Sequence, residues 1–174
     1  RVVLTVMSNY GRGRFLERHG IAVESVPVGD RNVTEAIDSG GLSLGGEASG
    51  HIIFRRFAST GDGILTALQT LAAWRDCGGR LSAYRKLYRP MPQLIKNLLV
   101  QTKPPLERLP RLQALVSRCE RALQGEGRVL LRYSGTEPLL RIMIEGPRRP
   151  RIEHMARQLA AAYLDETDQQ EPAQ

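Results

Sequence analysis

The chain has 174 residues, of which 41% are hydrophobic and 25% charged, a composition typical of a globular protein with a buried core. No apolar run approaches the roughly 20 residues that cross a bilayer, so a membrane is not an expected partner. The net charge of +7 is spread along the chain, with twelve basic against eight acidic residues in 1–89 and thirteen against ten in 90–174. Without a concentrated basic segment or a zinc or helix-turn-helix signature, nucleic acid is not an expected partner either.

The first half of the chain alternates strand and helix patterns, which predicts an α/β layer with a partly parallel sheet. In chain order the predicted elements are a strand at 2–7, a helix from Ser8 or Asn9 to near Gly20, a strand at 21–26, a short helix capped by Asn32 and Glu35, strands at 42–44 and 52–54, and a helix capped by Asp62. Because a strand follows Arg1 at once, we expect further polypeptide upstream of it.

The second half reads as strand, helix, hairpin and helix, which predicts a compact α+β unit. Its predicted elements are a strand at 94–102, a helix over 109–123, strands at 129–131 and 139–144, a helix at 152–163 and a disordered end after Asp165. Gly78, Pro90 and Pro92 mark the join between the halves, with a short helix at 81–88. The expected domains are therefore 1–89 and 90–174.

Residues 46–51, Gly-Glu-Ala-Ser-Gly-His, place a carboxylate, a hydroxyl and an imidazole in a glycine-rich turn. Glu47 and Ser49 suit hydrogen bonds to the hydroxyls of a sugar, and Arg31 could contact the same ligand or only solvent. His51, with an ordinary pKa of about 6.5, suits proton transfer. The alternative is a tight turn with a solvated glutamate, because glycine is common in turns of every kind.

Residues 132–138, Arg-Tyr-Ser-Gly-Thr-Glu-Pro, combine groups that bind phosphate. A guanidinium grips phosphate oxygens bidentately, hydroxyls add donors, and glycine lets backbone amides approach. The residues that supply these groups are Arg132, Ser134, Gly135 and Thr136. Glu137 is expected to hold the turn or to pair with an arginine. An ordinary hairpin turn is the alternative.

Five segments in order resemble the α-D-phosphohexomutase family, most closely its bacterial phosphoglucosamine mutase branch. They are residues 5–9 (Thr-Val-Met-Ser-Asn), 28–31 (Val-Gly-Asp-Arg), 45–51, 59–63 (Ser-Thr-Gly-Asp-Gly) and 132–138. The resemblance reaches about Leu164 and implies the C-terminal half of a four-domain enzyme. It implies an incomplete three-layer α/β domain with a mixed sheet, followed by a small α+β domain of the TBP-like type.

The resemblance further implies an isomerase that interconverts glucosamine 6-phosphate and glucosamine 1-phosphate, in the cytoplasm, on the route to UDP-N-acetylglucosamine and peptidoglycan. The reaction would pass through a phosphoserine and a glucosamine 1,6-bisphosphate intermediate. Glu47 and Ser49 would bind sugar hydroxyls, and the four residues at 132 and 134–136 would bind phosphate. The phosphoserine and the Mg²⁺ ligands are expected upstream, so no catalytic nucleophile, metal ligand or independent activity is expected here, and His51 is the candidate for proton transfer.

Two alternatives stay open. Ala48 and residues 55–58, Arg-Arg-Phe-Ala, depart from the family pattern, which leaves a phosphomannomutase or phosphoglucomutase as an alternative enzyme. A non-catalytic anion-binding module is the alternative from another class. Cys77 and Cys119 lack metal-ligand or redox spacing and are expected to be reduced thiols. No oligomeric state is predicted.

Overall fold

The computed structural model describes residues 1–78, 80, 82 and 87–169, and the chain divides into two compact units, Arg1–Pro90 and Met91–Gln174. This division lies one residue from the expected boundary between residues 89 and 90. The short helix expected at 81–88 lies mostly outside the described residues. In the part of the chain that is described, no helix is both long and apolar enough to cross a membrane.

The first unit is built on a four-stranded mixed sheet. Its elements are β1 (Val2–Thr5), α1 (Tyr10–Arg18), β2 (Val23–Val26), α2 (Asp30–Ser39), β3 (Leu44–Gly46), β4 (Ile52–Phe54) and α3 (Gly63–Cys77). The strand order is β2-β1-β3-β4, in which β1 is parallel to both neighbours and β3 is antiparallel to β4. The predicted α/β layer with a partly parallel sheet is confirmed.

One face of this sheet is covered by α2. Val33 and Ile37 of α2 are buried with Val3 of β1 and Ile53 of β4 in one apolar cluster. Gly45 of β3 lies directly under the helix, because a Cβ built there would be 2.7 Å from Val33 Cγ1 and 2.8 Å from Ile37 Cδ1. The missing side chain at this position is therefore what allows α2 to pack so close to the sheet.

The opposite face of the sheet is only partly covered. Val2 and Leu4 are half-buried and, with Leu16 of α1, border a cavity of about 360 Å³. None of the residues of α3 is buried. The large apolar side chains that α3 exposes are Ile64, Leu68 and Leu71. The layer on this face is therefore incomplete, in agreement with the incomplete three-layer domain that the resemblance implied.

Two of the three predicted helix caps are correct. The side-chain oxygens of Asn9 and Asp62 accept hydrogen bonds from backbone N–H groups at the starts of α1 and α3. The cap predicted at Asn32 is wrong, because α2 already begins at Asp30, with Gly29 in the cap position. Asn32 lies in the first turn of the helix and its side-chain amide donates to a backbone carbonyl one turn earlier.

The second unit is a three-stranded antiparallel sheet with two α-helices, one between its first and second strands in chain order and one after the third. Its elements are β5 (Gln93–Leu99), a 3₁₀ turn (Leu106–Arg108), α4 (Pro110–Leu123), β6 (Arg128–Tyr133), β7 (Leu139–Glu145) and α5 (Arg149–Glu166). The strand order is β5-β7-β6, and both pairings are antiparallel. The predicted α+β unit is confirmed. Its largest fully buried side chains are Leu98, Leu112, Leu140, Ile142, Ile144, Ile152, Leu159, Tyr163 and, as the one charged residue among them, Glu145.

The disorder predicted after Asp165 is wrong for residues 166–169. The carboxylate of Glu166 accepts hydrogen bonds from the backbone N–H groups of Arg111, at 3.0 Å, and Leu112, at 2.8 Å. It thus satisfies two free donors at the start of α4, where the helix dipole also favours a negative charge. Gln169 accepts a hydrogen bond from the backbone of Gln101 at 2.7 Å.

Gly45→Ala is expected to lower the free energy of unfolding by about 1–3 kcal/mol, because the added methyl group overlaps two core side chains. Gly13→Ala is the matched control, since a Cβ at Gly13, inside α1, meets no atom within 4 Å. The control should be neutral or stabilising by up to about 1 kcal/mol. Urea unfolding followed by circular dichroism measures both, and equal effects would contradict the close packing of α2 on β3.

Candidate functional sites

The first candidate site is the five-residue turn that joins β3 to β4. The strand register pairs Gly46 with Ile52, and the turn is closed by a hydrogen bond from Glu47 N–H to His51 O at 3.0 Å. A second bond runs from Gly50 N–H to Glu47 O at 3.2 Å. Gly50 has a φ of 101°, a conformation in which other residues are strained. The backbone of the turn therefore fixes the positions from which its three polar side chains extend.

The side chains of Glu47, Ser49 and His51 form one cluster. Glu47 Oε1 accepts a hydrogen bond from Ser49 Oγ at 2.7 Å and lies 2.7 Å from His51 Nδ1. Ser49 Oγ is 3.3 Å from His51 Nδ1. The carboxylate is only 8% exposed, whereas the imidazole is 58% exposed. The structure thus brings together three residues that the sequence analysis selected, with the imidazole on the accessible side.

The hydrogen bonds in this cluster favour the charged forms of both titratable groups. The bond with His51, followed by that from Ser49, lowers the pKa of Glu47, and the backbone N–H of Gly29 adds to this effect. Burial acts in the opposite direction but is smaller. The bond with Glu47 raises the pKa of His51, and the negative charge of Asp30 contributes to the same shift. The ionised carboxylate and the protonated imidazole therefore each favour the charged form of the other.

Neighbouring segments contact this cluster to different extents. Gly61 packs against the imidazole, because a Cβ there would be 3.3 Å from His51 Cβ. Arg31 is different: its side chain is 87% exposed, and its Nε pairs with Glu35 Oε1 at 2.7 Å. That carboxylate raises the pKa of Arg31. The contacts of Arg31 are therefore along the surface of α2, and its role as a sugar ligand stays a prediction.

The second candidate site is the turn that joins β6 to β7. Ser134 opens it with a hydrogen bond from its N–H to Leu139 O at 2.9 Å and is only 4% exposed. Its hydroxyl lies 3.3 Å from Glu137 Oε2 and 3.3 Å from Glu137 N. Gly135 and Thr136, at the tip, are exposed. Ser134 thus organises the turn internally, while the tip is open to a ligand.

Positive charge dominates this turn. Arg132 of β6 lies directly opposite Arg141 of β7 in the strand register, so both side chains are on one face of the hairpin. Arg141 Nη2 donates to Glu137 Oε2 at 2.6 Å, which confirms the expectation that Glu137 pairs with an arginine. Arg132 has no carboxylate partner within the described ranges. Lys103 adds a third cation, with its Nζ 2.7 Å from Ser134 O and 2.8 Å from Glu137 O.

The sequence analysis missed Lys103 and Arg141. Arg141 could have been found, because a hairpin with strands at 129–131 and 139–144 has few registers, and strand alternation then places residue 141 on the same face as a residue of β6. Lys103 has no such signal. Its partner Ser134 lies 31 residues later in the chain, and no local sequence pattern indicates a contact across that separation.

The residues present do not fit a magnesium site. Among the residues that the structure describes, no group of three or more histidine, cysteine, aspartate or glutamate side chains is placed to hold a metal ion. Glu47 Oε1 is hydrogen-bonded to Ser49 and His51, and Glu137 is paired with Arg141. Magnesium prefers several oxygen ligands in octahedral geometry, which neither turn offers.

Two sequence models of one protein family cover most of the chain. The model described as phosphoglucomutase/phosphomannomutase, alpha/beta/alpha domain III, matches residues 1–91. The model of the C-terminal domain of the same enzymes matches residues 95–162. The chain belongs to this family. The fold class that the resemblance implied is therefore confirmed for both units.

Individual relatives agree with this assignment. The phosphoglucosamine mutase of Afipia carboxidovorans is 44% identical over 161 residues, which cover 92% of this chain and 36% of that protein. That of Geobacter metallireducens is 45% identical over 159 residues, with 91% and 35% coverage. The chain thus spans about a third of the length of these relatives. A solved N-acetylphosphoglucosamine mutase of Aspergillus fumigatus shares the fold, with a TM-score of 0.78 at 21% identity over 95% of this chain and 38% of that one.

The Glu47–His51 pair is expected to make stability depend on pH. Because the pKa of His51 is raised, its contribution is complete below the ordinary value of 6.5 and is lost as pH rises through the folded pKa. Because the pKa of Glu47 is lowered, its contribution is present above the ordinary 4.5 and is lost as pH falls through the folded pKa. The stability difference between the parent chain and Glu47→Gln should therefore be greatest between these two ordinary values.

NMR titration of the imidazole measures the same coupling directly. Glu47→Gln should move the pKa of His51 down toward its ordinary value, while the resonance of His154, in the other unit, should not respond to the substitution. A His51 titration curve that is identical in the two chains would show that the hydrogen bond to Glu47 does not form in solution.

Proposed function

We propose that this chain is the sugar- and phosphate-recognising part of a phosphoglucosamine mutase, an isomerase that interconverts glucosamine 6-phosphate and glucosamine 1-phosphate. The whole enzyme works in the cytoplasm through a phosphoserine and a glucosamine 1,6-bisphosphate intermediate, and its product leads to UDP-N-acetylglucosamine and peptidoglycan. The observation that carries the proposal is the 44% identity to a phosphoglucosamine mutase across 92% of the chain.

Solved relatives support a phosphosugar as the ligand class. The Aspergillus fumigatus N-acetylphosphoglucosamine mutase has been solved with GlcNAc-6P and magnesium, at a TM-score of 0.72 to this chain, and with glucose 1,6-bisphosphate, at 0.70. The family models name phosphoglucomutase/phosphomannomutase, so a neutral hexose phosphate is the second candidate substrate.

In this proposal the first unit recognises sugar hydroxyls. Glu47, held ionised, accepts charge-assisted hydrogen bonds from neighbouring hydroxyls, and it also tolerates the amino group of an aminosugar. Ser49 adds a hydroxyl next to that carboxylate. His51, exposed and hydrogen-bonded to Glu47, can hold a proton close to a bound hydroxyl and return it.

The second unit recognises the phosphate. A phosphate dianion offers several acceptor oxygens. The turn offers the guanidinium of Arg132, which pairs with no carboxylate among the described residues, together with the exposed tip at Gly135 and Thr136. Three cations and one carboxylate surround the turn, so its local charge favours an anion. Ser134 contributes by ordering the turn, in addition to any contact of its hydroxyl with the ligand.

The phosphoserine and the magnesium ion are assigned to the remainder of the enzyme. Magnesium, when bound there, neutralises the charge of the transferring phosphoryl group. The residues of this chain bind and orient the phosphosugar, and His51 holds a proton beside it. Correct orientation is a large part of catalysis in phosphoryl transfer.

Binding to the two turns should be separable by substitution. Arg132→Ala is expected to weaken the binding of glucosamine 6-phosphate and of inorganic phosphate alike, by about 2–5 kcal/mol, since a charge-assisted contact is lost. Glu47→Gln should weaken the binding of glucosamine 6-phosphate but leave that of inorganic phosphate unchanged. Isothermal titration calorimetry on the 174-residue chain measures both.

Arg157→Ala, on the exposed surface of α5, is the control for loss of one positive charge and should bind like the parent. Parallel titrations with glucose 6-phosphate and mannose 6-phosphate address the second candidate substrate, and tighter binding of either would contradict the aminosugar. Binding of inorganic phosphate with no added affinity for any phosphosugar would instead favour a plain anion-binding module.

The chain alone should not catalyse the interconversion. It contains no Ser-His-Asn-Pro or Asp-Gly-Asp segment of the kind that the family uses for phosphoryl donation and metal binding. A coupled assay with glucosamine 6-phosphate, a bisphosphate activator and magnesium is therefore expected to show no turnover above the rate without protein. Steady turnover by the purified chain would refute the assignment of catalysis to other parts of the enzyme.

A further inference from the structure

Lys103 is bound to the phosphate turn through the backbone. Its Nζ donates to Ser134 O at 2.7 Å and to Glu137 O at 2.8 Å, the carbonyls at the two ends of the exposed tip. Both distances are those of strong, charge-assisted hydrogen bonds. A single ammonium group therefore holds both ends of the turn.

The segment that carries Lys103 is itself held by two tyrosines, one buried and one partly buried. The hydroxyl of Tyr163, a fully buried residue, donates to Thr102 O at 2.9 Å, and the hydroxyl of Tyr133 donates to Pro104 O at 2.8 Å. Burial raises the pKa of Tyr133, so its hydroxyl keeps the proton that it donates. The backbone on both sides of Lys103 is thus anchored, which fixes the position from which the lysine side chain reaches the turn.

Holding the carbonyl of Ser134 also sets the direction of the next amide. In a trans peptide the C=O and N–H groups point in opposite directions, and the peptide unit is rigid. With Ser134 O turned toward Lys103, the N–H of Gly135 must point in the opposite direction within the plane of that peptide, away from Lys103. Within the described residues, the N–H groups of Gly135 and Thr136 make no hydrogen bond, and both residues are exposed.

We propose that Lys103 is a positioning residue, which orients the Ser134–Gly135 peptide so that the Gly135 N–H is directed at the bound phosphate. The identity of the ligand rests on the proposed function; the orientation of the peptide does not. Lys103 also adds one positive charge to the turn, but it acts on the ligand through the backbone and its Nζ is already bonded to two carbonyls.

The test compares four chains: the parent, Lys103→Met, Lys103→Arg, and Lys96→Met as the control for loss of a lysine elsewhere in the same unit. Lys103→Met is expected to bind inorganic phosphate and glucosamine 6-phosphate about tenfold more weakly, the effect of roughly one hydrogen bond to a charged group. Lys103→Arg, which keeps charge and donors, should recover most of this loss. Lys96→Met should bind like the parent.

Amide NMR separates positioning from a general loss of structure. In the parent chain, phosphate should shift the Gly135 and Thr136 amide resonances more than any others in the unit. In Lys103→Met without ligand, the Gly135 amide resonance and its exchange rate should change while the urea unfolding midpoint stays near that of Lys96→Met. Parent-like phosphate affinity in Lys103→Met, or phosphate shifts centred away from Gly135 in the parent, would overturn the proposal.

The two proposals fail in different ways. A parent chain that binds neither anion contradicts the proposed function. The role of Lys103 can then still be tested. The Gly135 amide resonance, compared between the ligand-free parent and Lys103→Met, reports the peptide orientation without any ligand. If Lys103→Met does not fold, the proposal is tested by the phosphate-induced shifts in the parent and by the phosphate affinity of Lys103→Arg.

Discussion

Strand register is the constraint on which both candidate sites depend. A slip of one residue turns every side chain of a strand to the other face. In the second unit it would separate Arg132 from Arg141, which the present register places opposite each other. In the first unit only three residue pairs join β3 to β4, too few to fix a register by themselves. Gly45 adds the missing constraint on the register. Because this position has no side chain, α2 packs directly against β3 there, and this contact holds β3 in its register.

The two turns differ in charge, and this difference decides which kind of chemical group each one suits. The first centres on a single carboxylate whose partners are a hydroxyl and an imidazole, so it offers acceptors and an exchangeable proton to a polar, uncharged group. The second collects three cations around one carboxylate, so it attracts an anion. The two sets of groups therefore favour different ligand groups, a hydroxyl at the first turn and an anion at the second.

The sequence predicted interactions between residues that are close together in the chain, but not contacts between residues that are far apart in it. Asn9 and Asp62 were predicted as caps because a cap bonds to backbone within three residues. Glu47 and His51 could likewise be grouped from the sequence, because both lie within five consecutive residues. Glu166, by contrast, caps a helix that begins more than 50 residues earlier, and Gln169 bonds to a residue 68 positions away. The polar composition of the C-terminal segment therefore suggested disorder, although the fold provides it with hydrogen-bond partners. The contacts of Lys103 were missed for the same reason, because its partners are distant in the sequence.

Arg132 and Arg141 face each other across the hairpin, and like charges in that position destabilise a sheet. Glu137 neutralises Arg141 but leaves the neighbouring guanidinium without a carboxylate within the described residues. A phosphate bound at the tip would remove this repulsion, so binding and the stability of the hairpin are linked. Saturation at a hundred times the dissociation constant would stabilise the second unit by about 2.7 kcal/mol. The excess positive charge thus destabilises the free hairpin, and an anion bound at the tip would offset that effect.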